Sequence, residues 1–187
     1  MNLARLFLLL SIGIFLGTTL SRADDAQTVT VTVPKGDKLA IRIPAAWQQS
    51  VIQPKPELPP TVKLTTVANT VSLQITFVPD TEGRFVTKES VDQAATEGNQ
   101  QYVAGSVEKS ISLTQLVSNS VRGCYATFTD ADLAGVTAPK NGQFRIAASG
   151  VFVIKKQVAA FTLLSNNTTS AEYQQALKIV TDGISTQ

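Results

Sequence analysis

Asp130 and Asp132 flank Ala131, a spacing that can give oxygens to Ca²⁺ or divide the roles of acid and base. A calcium site needs ~6–8 oxygen ligands, and no EF-hand spacing follows. Aspartate also caps turns by accepting from nearby backbone amides, and these two read that way, as do Asp80 and Glu82. Histidine is absent, and Cys124 is the single cysteine. The commonest general base near neutral pH is therefore missing, and with it every Ser-His-Asp or Cys-His unit. Zinc sites of histidine and cysteine are excluded as well. Cys124 has no histidine to lower its pKa. It shares a strand face with Ala126 and Phe128 and reads as a small buried hydrophobe. Gly123, Gly135, Gly142 and Gly150 stand alone, so no phosphate-cradling loop forms and no cofactor is expected. What remains for an enzyme is hydrolysis by carboxylates alone. The expectation is a protein that is not an enzyme and holds no metal.

Four aromatic residues are the candidates for binding: Trp47, Phe85, Tyr102 and Tyr173. Together they suit a groove between helix and sheet that takes a small apolar ligand or lipid. For Trp47 by itself the first reading is a core plug that locks a hairpin against a helix, with an exposed partner anchor as the alternative. Pro56-Glu57-Leu58-Pro59 has PxxP spacing but lies in a stretch with prolines at 54, 56, 59 and 60, which reads as an extended loop. Asn166-Asn167-Thr168-Thr169 holds two overlapping glycosylation sequons and reads as a strand-to-helix turn.

The N-terminus carries an address. Arg5 precedes an apolar stretch from Leu6 to Leu16, broken only by Ser11 and Gly13, and Ser21 and Ala23 are the small residues a signal peptidase requires. Residues 1–23 read as a signal peptide whose apolar run is too short to span a bilayer, which takes ~20 apolar residues. The expected mature chain is 24–187, one domain, periplasmic or secreted from a bacterium. Membrane contact is expected only if the signal stays uncleaved. Arg5 and Arg22 leave with the signal, so 14 Lys+Arg face 14 Asp+Glu. A neutral chain without a basic run has no electrostatic support for nucleic-acid binding.

The elements that must position these residues are mostly strands. Thr28–Val33 and Leu39–Ile43 alternate as a hairpin around Pro34-Lys35-Gly36-Asp37. Val62–Val67 with Val71–Val78, and Ile111–Ser118 with Val121–Thr129, read as further pairs. Phe144–Ile154 and Val158–Leu164 are apolar on both faces, as central strands are. Thr87–Val103 has helical period, with Val91, Ala94, Ala95, Gly98 and Tyr102 on one side and Thr87 as N-cap. Gly98 costs this helix ~1 kcal/mol relative to alanine, a cost that close packing on the sheet is expected to offset. The second helix carries Tyr173, Ala176, Leu177, Val180 and Ile184 on its stripe, with Thr169 and Glu172 spaced as a capping box and Gly183 as its stop. About eight hairpin-joined strands and two long helices make an α+β fold: an antiparallel sheet of six to eight strands, covered by helices as an α-β-α sandwich.

Ile41-Arg42-Ile43-Pro44-Ala45-Ala46-Trp47 resembles the apolar-Pro-x-x-Trp entry that follows the first hairpin in the PsbP/Mog1-like family. The order of strands, helix, strands and closing helix is similar too, and Val121-x-Gly123 resembles that family's glycine-bearing central strand. The resemblance spans nearly all of residues 24–187. It implies an α-β-α sandwich with no shared enzyme activity, in a family whose members include secreted bacterial domains and protein binders. The expected function is that of an exported non-enzymatic envelope domain. The expected role is that of a protein-binding accessory or assembly factor with an unknown partner, a subunit of a membrane complex being one candidate.

Overall fold

The structure is a computed structural model that describes residues 25–187. The expected signal peptide and the expected start at Asp24 lie outside the described residues.

The chain runs β1 (Ala26–Thr32), β2 (Lys38–Pro44), β3 (Gln48–Ile52), β4 (Thr61–Thr65), β5 (Val71–Pro79), α1 (Lys88–Val103), β6 (Thr114–Gln115), β7 (Arg122–Thr129), β8 (Ile146–Ile154), β9 (Gln157–Ser165), α2 (Ala171–Asp182) and β10 (Ile184–Thr186). The expected α+β fold is present, but the strands form two sheets and not one. Seven make an antiparallel sheet in the order β3-β4-β5-β9-β8-β7-β6. The first hairpin separates from it and pairs with β10, in the order β1-β2-β10. Ile184, read as the last residue of a helical stripe, instead pairs with Ile41 and is buried. Gly183 ends α2, its N–H donating to the Ile179 carbonyl, and its own carbonyl accepts from Arg42 N. That second bond turns the chain directly into β10.

Alternation decides which face each strand buries. On β5, Val71, Leu73, Ile75 and Phe77 point into the main core beneath α2 and the small sheet. Phe77, Phe152, Phe161 and Tyr125 form a row on that face, with neighbouring ring centroids 6.1–6.4 Å apart. Gly123 lies opposite Phe152 and Gly150 opposite Tyr125. A Cβ on Gly150 would stand 2.5 Å from Tyr125 Cβ, and one on Gly123 2.5 Å from Phe152 Cβ. The glycines are thus the space the aromatic row needs.

On the other face α1 packs on β7 and β8, burying Val91 and Ala95 with Cys124, Val153 and Val158. Thr87 caps it, its Oγ1 accepting from Ser90 N. The expected packing of Gly98 is corrected. It is exposed, with nothing within 4 Å of a Cβ placed there, and the third buried position of the helix is Asn99. The cap of α2 also moves by one residue. Thr169 donates its N–H and hydroxyl to Asn167 Oδ1, which leaves Ser170 Oγ to accept from Tyr173 N. No helix among the described residues is long and apolar enough to cross a membrane.

Candidate functional site

The four expected aromatics do not line one groove. Trp47, 6% exposed, and Tyr173, 3% exposed, sit in the main core. Burial pushes the Tyr173 hydroxyl up to about 12, with Tyr125 nearby adding to the rise. Phe85 and Tyr102 are half-buried on the other side of the seven-stranded sheet, at separate places.

Phe85 lies in the β5–α1 connection. Asp80 folds this loop, its two carboxylate oxygens accepting from Arg84 N and Phe85 N. The Phe85 carbonyl accepts from Arg122 Nη2 at 2.7 Å. A cleft of 500 Å³ opens there, lined by Phe85, Val86, Arg122, Lys155 and Lys156.

Tyr102, on the last turn of α1, stacks on Phe128 of β7. Because α1 packs mainly on β7 and β8, most of β5 and β9 beyond Val158 stays open on this face, and a groove follows the flank of the helix. Its inner part, 210 Å³, is polar: Gln74, Thr76 and Thr162 from the open strands, Asn99 and Tyr102 from the helix. The outer part, 380 Å³, has Tyr102, Phe128, Phe144 and Leu164 as its apolar wall and Arg145, Asp130 and Asp132 at its rim. Gln101 and Tyr102 border both.

Asn99 is 1% exposed. Its Nδ2 donates to the Ser149 carbonyl at 2.9 Å, which fixes the amide's orientation because that carbonyl only accepts. Its Oδ1 is buried and has no partner among the described residues. Sequence reasoning passed over Asn99 by following Ala94 and Gly98. The i, i+4 series Val91, Ala95, Asn99 is the buried line, and a polar residue on it was the available signal.

The remaining reactive groups are engaged or muted. Cys124 is fully buried, and burial, with Asp92 beside it, pushes its thiol up to about 12. Asp92 itself is held low by Lys88 and by the Gln115 amide. Asp130 Oδ1 accepts from Asp132 N, the turn role expected of the pair. Burial pushes the Glu108 carboxyl up, but hydrogen bonds from Thr129 N and Oγ1 outweigh it and the group is held low. Among the described residues no three His, Cys, Asp or Glu side chains gather as metal ligands.

Among solved structures, the chain is similar to the solution structure of a cyanobacterial PsbP (CyanoP) from Synechocystis sp. PCC 6803. The match covers 90% of this chain and 96% of that one, with 9% identity and a TM-score of 0.52. No family model and no curated protein matches the sequence. The likeness shows a PsbP-like fold.

Proposed function

We propose that this PsbP-like domain is an exported, non-enzymatic accessory or assembly factor of the bacterial envelope that works by binding another protein. The carrying observation is the open edge at β3. All five residues of Gln48–Ile52 are exposed, and the strand borders the seven-stranded sheet with only β4 beside it among the described residues. Sheet edges are usually guarded by charge, proline, a bulge or extreme shortness. The opposite edge, β6, is two residues long. Strand β3 carries no charged residue and no proline, and it adds Val51 and Ile52, 43% and 51% exposed. A row of unpaired amides and carbonyls beside apolar side chains is matched by an extended polypeptide, and neither a lipid nor a small molecule satisfies it. The edge β1 is also open, but its outward residues, Thr28, Thr30 and Thr32, are polar. The absence of catalysis in this reading is supported by Asp80, Asp130 and Glu108, each of which accepts from at least one backbone amide.

The test is site-specific photocrosslinking in the source cell. A crosslinker at Val51 is expected to trap one protein reproducibly, and Gln49→Pro, which removes an amide that faces away from β4, is expected to abolish it without unfolding the domain. Equal trapping from an exposed site at the opposite edge of the sheet, such as Val117, overturns the reading. So does a Val51 adduct of two copies of this chain alone.

A further inference from the structure

We propose that the groove along α1 is a binding site for a small, neutral, planar molecule that carries one N–H or O–H donor. Three observations converge on it. The first is space. The outer part, 380 Å³, falls within the ~300–1,000 Å³ typical of small-molecule sites, and the inner part, 210 Å³, adjoins it through Gln101 and Tyr102.

The second is the flat apolar wall. Tyr102 and Phe128 stack with ring centroids 5.3 Å apart and planes 26° apart, beside Phe144 and Leu164. A planar ring extends such a stack.

The third is Asn99. The first two residues of the buried line, Val91 and Ala95, are apolar, and a third apolar side chain would complete the packing. The chain instead buries an amide at the wall of the inner cavity, anchors its nitrogen on Ser149 and leaves its oxygen without a donor. A buried acceptor without a partner is costly. Asn99 and Tyr102 are three residues apart on the helix, so the oxygen and the ring stand on neighbouring turns of one face, ~5–6 Å apart at Cβ. A ligand with a ring on Tyr102 and a donor about one ring-width away meets both.

Charge at the rim is mixed. Arg145 is held by the Val136 and Asn166 carbonyls, and Asp130 and Asp132 stand on the same rim, so neither an anion nor a cation is selected. This points to a neutral ligand.

The experiment uses N-phenyl-1-naphthylamine, a neutral planar fluorophore with one N–H, against 1-phenylnaphthalene, which has similar bulk and no donor. The protein is residues 24–187, and binding is read by fluorescence titration. The wild type is expected to bind the amine more tightly than the hydrocarbon. Asn99→Leu is expected to weaken the amine about tenfold, the worth of one hydrogen bond of ~1.4 kcal/mol, and to erase the preference. Tyr102→Leu, which keeps apolar bulk without a ring, is expected to weaken both probes. The far-ultraviolet spectrum of each variant reports its folding, and Asn99→Ala replaces the leucine variant should that one misfold. Failure of the wild type to bind the amine, equal affinity for the two probes, or binding unmoved by both substitutions overturns the proposal.

Discussion

The Tyr102 ring lies over the Phe128 ring, joining the last turn of α1 to the end of β7. It is the outermost tie between this helix and the sheet, beyond the buried line of Val91, Ala95 and Asn99. Tyr102→Ala removes the stack and about half a buried side chain, so a loss of about 2 kcal/mol is expected. Tyr102→Phe keeps the stack and is expected to stay within about 0.5 kcal/mol of wild type. Urea unfolding followed by circular dichroism measures both.

Two glycines make opposite predictions. Gly98 is helical and exposed, with open space where a Cβ would go, so Gly98→Ala is expected to stabilise by about 1 kcal/mol. Gly150 has no such space, since its Cβ would crowd Tyr125 and the Cys124 carbonyl across the sheet. Gly150→Ala is expected to cost about 2 kcal/mol or more through overpacking. Denaturant midpoints that move the same way in both variants contradict this account.

Alkaline pH is expected to unfold the protein, and the sign follows from two buried groups. Cys124 rises from its ordinary 9.0, and Tyr173 from 10.0, each to about 12. Both hold their protons more tightly folded than unfolded. Their contribution is therefore complete below pH 9 and is lost as pH rises toward about 12. Cys124→Ala is expected to delay the onset toward pH 10, where the tyrosine alone begins to act. Thermal melts from pH 8 to 11 show the trend, and the native thiol is expected to resist Ellman's reagent until the chain unfolds.

Gln157 begins β9 with its side chain fully buried, and neither its amide nitrogen nor its oxygen has a partner among the described residues. A Cβ on Gly36 would stand 3.3 Å from its Cδ, so it packs under the first hairpin's turn. Gln157→Leu keeps most of the volume and removes both unmet demands. A gain of about 1–2 kcal/mol is expected by urea unfolding, and a loss of stability contradicts this reading.

Strands whose residues alternate were legible in the residues alone: Val71, Leu73, Ile75 and Phe77 announce β5 and its buried face. Strand β3 was not, because all five residues are exposed and no alternation marks it. Strand β10 is three residues that continue the apolar period of α2, and only its pairing with β2 shows that Ile184 has left the helix. The separation of the first hairpin into its own sheet is a matter of long-range pairing, which no local pattern encodes. At the candidate site, Tyr102 was found because aromatic residues stand out. Asn99 was missed because 91, 94, 95, 98 and 102 also fit a helical face, and two adjacent stripes on one helix differ by a small rotation.

The small sheet has a consequence for how the protein comes into being. Its middle strand, β2, is made before the seven-stranded sheet and its third strand only after α2, the Arg42 amide bonding the Gly183 carbonyl and the Gln187 amide the Lys38 carbonyl. Ribosomes deliver residues in order, so β2 must wait, one side unzipped, until Ile184–Thr186 emerge. The clasp closes only after both helices and the whole seven-stranded sheet have been made.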